Sequence, residues 1–133
     1  MLKKDLLKPT FIYTNLFKKI DENIKINGVT HITGGGLIEN PPRSFSKHLK
    51  ITINMNSFIH SDIYKWIKEE AKLSWKELLK TFNFGIGLLI YVEKTDVDCF
   101  FKQTKQSGCK SWVVGEVLDN NQEENVKFIG LNN

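Results

Sequence analysis

Three consecutive glycines, Gly34, Gly35 and Gly36, stand between a histidine, His31, and the group Glu39, Asn40 and Arg43. No other stretch of the 133 residues gathers an imidazole, a carboxylate, a carboxamide and a guanidinium so closely. Glycines cost backbone entropy on folding and offer nothing to pack, so three in a row mark a sharp turn or a close approach of backbone to something else. A strand-to-helix turn alone would account for a bare triplet. The flanking residues favour more, because turned backbone amides beside a guanidinium hold an anion such as a phosphate. His31 is either a proton-transfer group near neutral pH or a structural imidazole bonded to backbone. Glu39, Asn40 and Arg43 either reach back over the loop or form a local cap with a surface ion pair. A second polar cluster, Lys80-Thr81-Phe82-Asn83, precedes Gly85 and Gly87. It is either an ordinary helix-to-strand loop or the second wall of a ligand crevice.

Other chemistries lack their residues. There is no GxxxxGK[ST] phosphate loop, no GxSxG turn and no setting for a cysteine nucleophile. His48 and His60 stand alone and are expected to face solvent. Cys99 and Cys109 have no partner cluster, so neither a zinc site nor a disulfide framework is indicated and no metal is assigned to these side chains. The net charge of +4 comes from lysines spread along the chain, and Arg43 is the single arginine. Nucleic-acid binders concentrate such charge, so no nucleic acid is expected as a partner. No apolar run approaches the ~20 residues of a membrane helix, and no signal-peptide pattern opens the chain. A cytoplasmic, reducing setting is expected.

The elements that must position these groups read as one α/β (α+β) domain over residues 1–133. Leu6–Tyr13 is extended around Pro9. A helix capped by Thr14 or Asn15 carries Leu16, Phe17, Ile20 and Ile24 on one face and ends at Asn27-Gly28. Val29–Ile32 is a strand delivering His31 to the loop, and a brief helix after Gly36 stops or bends at Pro41-Pro42. Leu49–Met55 alternates as a half-buried strand. Ile63, Trp66, Ile67 and Ala71 mark an amphipathic helix from Ser61, with Trp66 in the core. Ser74-Trp75-Lys76-Glu77 has the capping-box pattern of a further helix. The apolar run Phe84–Val92 reads as a central strand. Thr95–Asp98 opens a helix with Val97, Phe100 and Phe101 inward, ending at Gly108. Trp112–Leu118 is a strand, and Val126–Ile129 returns as its partner.

The segment from His31 to Arg43 resembles the signature of phosphoribosylformylglycinamidine cyclo-ligases, also called aminoimidazole ribonucleotide synthetases. The likeness continues in Leu7–Tyr13, in Thr81–Gly87 and in Trp112–Val117, in the family's order. Two positions depart from its pattern: Lys80, where an arginine is usual, and Pro41, where a branched apolar residue is usual. The related selenophosphate synthetases and thiamine-phosphate kinases share the glycine loop, generally without the Glu39-Asn40…Arg43 continuation.

The resemblance implies a three-layer α/β/α domain on a mixed sheet. It also implies ATP-dependent closure of formylglycinamidine ribonucleotide to aminoimidazole ribonucleotide in de novo purine (IMP) synthesis, with Mg²⁺ required. By that likeness the chain corresponds to a C-terminal domain, with residues 1–13 as the junction after an N-terminal ATP-binding domain that supplies most of the ATP and Mg²⁺ site. The isolated chain is expected to lack turnover and to be a monomer, whereas the full-length protein is expected to be a homodimer. Gly34–Gly36 would bind a phosphate, His31 would transfer a proton, and Thr33, Asn40, Arg43, Thr81 and Asn83 would orient substrate, with Glu39 and Gly85 beside them. The rival reading is a stand-alone module that captures an anionic metabolite without turnover.

Overall fold

Two sheets carry the strands of the computed structural model, which describes residue 7 and residues 9–57, 62–121 and 124–131. The first is an antiparallel ribbon of β1 (Ile26–His31) and β3 (Leu88–Val92), in which Val29 faces Ile90 and His31 faces Leu88. The second is a mixed sheet in the order β4-β2-β5. Its centre is β2 (Leu49–Asn54), antiparallel to β4 (Gly115–Asp119) and parallel to β5 (Val126–Ile129). Ile51, Thr52 and Ile53 of β2 are all buried although successive side chains point to opposite faces, so both faces of the strand are covered here, more than the alternating pattern required. The α/β class agrees with the order of elements read from the sequence, and the mixed sheet with what the resemblance implies.

Helices α1 (Thr14–Phe17), α2 (Gly36–Glu39), α3 (Asp62–Glu70), α4 (Trp75–Thr81) and α5 (Val97–Gln106) complete the elements. A 3₁₀ turn, Pro41–Ser44, follows α2, so the prolines stand where the helix gives way, as expected. Leu37 of α2 packs with Leu78 and Leu79 of α4, Ile51 and Ile53 of β2, and Met55. Each of these side chains is at most 3% exposed, worth about 2 kcal/mol apiece in area removed from water. This core holds the glycine loop from below. The Ser74 box is complete: Ser74 Oγ accepts from Glu77 N at 3.2 Å, and Glu77 Oε2 accepts from Ser74 N at 2.7 Å.

Several expectations are corrected. The helix expected through Ile24 is the single turn α1, because Asp21 Oδ1 accepts from Asn23 N at 2.8 Å and turns the chain. Tyr13, not Thr14 or Asn15, occupies the N-cap, without a side-chain cap. Asn27-Gly28 lies inside β1 rather than ending a helix. Strand β3 starts only at Leu88, because positive φ at Phe84 (54°) and Gly85 (85°) forms a turn, and among the described residues it pairs with β1 alone, at an edge rather than in the centre of a sheet. Strand β4 starts at Gly115, leaving Trp112–Val114 outside it, and β5 pairs with β2 instead of β4. Trp66 is 45% exposed; α3 turns Tyr64 inward instead, stacked on Phe84 with ring centroids 4.4 Å apart. Phe100 is buried, as expected of the α5 stripe. His48 is exposed, whereas His60 and the helix start at Ser61 lie outside the described residues.

Candidate functional site

Strand β1 ends at His31 and the chain turns through Thr33–Gly36 into α2. The three glycines serve different ends. Gly36 adopts φ 56°, and a Cβ there would overlap the Leu79 carbonyl oxygen, so glycine is what lets α2 pack on the end of α4. Gly35 adopts φ 98°, and a Cβ on it would meet Glu39 Cβ and Oε2, each at 2.9 Å. Gly34 is exposed, and a Cβ on it would have nothing within 4 Å. The chain's own packing therefore makes no demand for glycine at Gly34, and that position opens onto solvent.

Asn40, 3% exposed, holds the loop in shape. Its Nδ2 donates to the carbonyls of Gly36 (2.9 Å), Thr33 (3.2 Å) and Gly34 (3.3 Å). With those carbonyls turned toward Asn40, the carboxamide is committed to the loop rather than to a ligand. Its Oδ1 accepts from Arg43 Nη1 at 3.2 Å, which aims the guanidinium. Arg43 also approaches Glu39 Oε2 at 3.9 Å, and Lys80 Nζ lies 3.2 Å from Glu39 Oε1.

A cleft of about 320 Å³ opens beside the loop. His31, Thr33, Asn40 and Arg43 line it together with Val29, Thr30 and Ser44. His31 is exposed, with the Tyr13 ring edge-on at 6.1 Å between centroids. The Tyr13 hydroxyl lies over Gly87, where a Cβ would overlap it, so the segment before α1 is laid across the turn that precedes β3. Burial pushes the Tyr13 hydroxyl up from its ordinary pKa, and Cys109 adds to the rise.

No local residue pattern marks the hydroxyl chain that ends on Ser44, the residue after Arg43. Thr30 Oγ1 donates to Ser44 Oγ at 2.6 Å, and Ser44 Oγ donates to the Val29 carbonyl at 2.9 Å. The Tyr91 hydroxyl, 2.8 Å from Thr30 Oγ1, is then the donor in that contact, since Thr30 has one proton to give. Burial raises the Tyr91 pKa. This chain ties the Arg43-bearing turn to both strands of the ribbon. The contact arises from the β1–β3 register, which places Thr30 and Tyr91 together and has no local signature.

The second cluster does not join the cleft. Thr81 Oγ1 donates to the Glu77 carbonyl at 2.8 Å, within its own helix. Asn83 Oδ1 accepts from Gly85 N at 2.9 Å and from the Tyr64 hydroxyl at 3.4 Å, closing the turn before β3. Gly85 and Gly87 line a separate, broader cleft between the ribbon and the mixed sheet. Lys80 is the one member of that cluster that reaches the glycine loop, through Glu39. Among the described residues no three His, Cys, Asp or Glu side chains come together as metal ligands would. Among them also, no helix is long and apolar enough to cross a membrane.

The family described as AIR synthase related protein, C-terminal domain, matches residues 2–127. Relatives named phosphoribosylformylglycinamidine cyclo-ligase align along most of the chain. The one from Caldicellulosiruptor bescii is 39% identical over 116 residues, 87% of this chain and 34% of the relative. The one from Trichlorobacter lovleyi is 34% identical over 128 residues, 95% of this chain and 37% of the relative. The one from Prochlorococcus marinus is 35% identical over 132 residues, 98% of this chain and 38% of the relative. The chain thus spans little more than a third of the curated relatives it matches. With the glycine loop, its asparagine brace and the flanking His31 and Arg43 in the order that first gave the likeness, the chain belongs to the AIR synthase related family, as its C-terminal domain.

Proposed function

We propose that this domain forms one wall of the substrate cleft of an ATP-dependent phosphoribosylformylglycinamidine cyclo-ligase. The reaction closes the imidazole ring of aminoimidazole ribonucleotide in purine (IMP) synthesis. The γ-phosphoryl of ATP passes to the formyl amide oxygen of formylglycinamidine ribonucleotide, releasing ADP. A substrate nitrogen then attacks the activated carbon, the oxygen leaves as phosphate, and the nitrogen gives up a proton. Stabilisation here is a matter of position and charge rather than of a covalent partner. ATP and Mg²⁺ are assigned to the part of the longer protein outside this chain, an N-terminal ATP-binding domain. The ion, when bound, supplies positive charge to the transferring phosphoryl. The setting is cytoplasmic and the full-length protein a homodimer.

Within this wall the Gly34 side of the loop and Arg43 take a phosphate of the substrate, and His31 receives the proton. Thr33 stands between them, and Asn40 acts by shaping the loop and aiming Arg43. The observation that supports this reading is the convergence of His31, Thr33, Asn40 and Arg43 on one cleft beside a glycine that packing does not require. The test is an amide-resonance titration of the 133-residue chain with formylglycinamidine ribonucleotide. Shifts centred on Gly34, His31 and Arg43, and lost in Arg43→Ala, are the expected result. Shifts centred on the Thr81–Gly87 turn, or none at the glycine loop, overturn it.

A further inference from the structure

The carboxylate of Glu39 rests where an anion would be held. It lies against Gly35 and bridges two cations, Lys80 Nζ at 3.2 Å and Arg43 Nη2 at 3.9 Å. The cations come from different elements, Arg43 from the 3₁₀ turn and Lys80 from the last turn of α4. They meet because Gly36 lets α2 settle on that last turn. Both are 64% exposed in their side chains, so a ligand arriving from solvent reaches them directly. A carboxylate offers only acceptors, as does a phosphate dianion, so Glu39 cannot itself be a phosphate ligand when both are ionised.

We propose that Glu39 is a displaceable internal counter-ion, and that Arg43 and Lys80 together are the clamp it vacates for a phosphate-monoester dianion. This rests on the reading of the loop as an anion site. Two cations against one carboxylate leave one positive charge, so the occupied latch still attracts anions. Exchange of the carboxylate for a dianion brings the cluster to neutrality. A neutral ligand has nothing to exchange with, so Glu39 sets selectivity by charge as well as affinity. Lys80 enters as a mobile point charge, whereas the fork of Arg43 is aimed by Asn40.

The test is a titration of the 133-residue chain with inorganic phosphate, read at the amide resonances of Gly34 and Gly35. Glu39→Gln keeps the side-chain shape and removes the charge. It is expected to tighten phosphate binding by about three- to ten-fold at moderate salt, the Coulomb effect of one charge a few ångströms away. Lys80→Gln is expected to weaken binding by a similar factor. Binding in the parent that Glu39→Gln leaves unchanged or weakens overturns the counter-ion and leaves the anion site standing. Failure of phosphate to shift these amides in either the parent or Glu39→Gln overturns both.

Discussion

Replacing Gly36 with alanine forces a Cβ into the contact between α2 and α4. The residue holds φ 56°, and its Cβ would overlap the Leu79 carbonyl oxygen and come within 2.9 Å of the carbonyl carbons of Leu79 and Lys80. The left-handed conformation costs a non-glycine residue roughly 1–2 kcal/mol. Overpacking adds about 1–3 kcal/mol, and here the obstacle is helix backbone, which cannot rotate away. The sum is about 3 kcal/mol or more, roughly a 10 °C fall in melting temperature for a chain of this size. Gly34→Ala is the control, because nothing lies within 4 Å of its added Cβ and its φ is not in the left-handed range. Its stability is expected to stay within about 0.5 kcal/mol of the parent. Urea unfolding followed by circular dichroism measures both. A Gly36→Ala chain as stable as the parent, or a Gly34→Ala chain as damaged as Gly36→Ala, would refute this division of labour. Gly35 is the less informative position, because a valine there meets both φ 98° and the Glu39 side chain, so lost binding would not be separable from a distorted loop.

Asn40→Asp replaces the donors that hold three loop carbonyls with an acceptor, and a cost of about 2 kcal/mol is expected in thermal unfolding, with weaker phosphate binding because the loop loses its shape and a second carboxylate competes for Arg43. Ser74→Ala removes the N-cap of α4 and should cost about 1 kcal/mol in the same assay. The bonds from Ser74 N and Oγ hold the Glu77 carboxyl below its ordinary pKa. That contribution is therefore fully present above the unfolded-state glutamate pKa and is lost as pH falls through the lower folded-state value. Unfolding from about pH 6 down to about pH 3 should show Glu77→Gln with a shallower acid limb than the parent.

What the residue pattern revealed and what it concealed divide along the range of the interactions. The Ser74 box, the stop at Pro41-Pro42 and the β2 strand are set by neighbours within a few positions, and each stands where the sequence put it. Ile20 and Ile24 keep helical spacing with Leu16, yet one Asx turn at Asp21 outweighs it, since a short exposed helix has little to repay its nucleation. In Phe84–Val92 the apolar run hides a turn, because positive φ at Phe84 depends on the Tyr64 stack and the Asn83 bond to Gly85, neither visible in hydropathy. The pairing of β5 with β2 is non-local and leaves no mark on either segment. In the site, the residue types of His31, Arg43 and the glycines were legible. The inward turn of Asn40 is a local matter of four to seven residues that residue type alone does not reveal. The placement of Glu39 between two cations required the packing of α2 on α4, and the Tyr91–Thr30–Ser44 chain required the register of strands far apart in sequence.

The most direct measurement of the central claim is ring closure in trans. The 133-residue chain would be mixed with the N-terminal two thirds of a cyclo-ligase relative, ATP, Mg²⁺ and formylglycinamidine ribonucleotide, and aminoimidazole ribonucleotide and phosphate would be followed together. Stoichiometric product and phosphate are expected only when both pieces are present, with strong loss in Arg43→Ala and in His31→Ala. Turnover without this chain, or turnover indifferent to both substitutions, would contradict it.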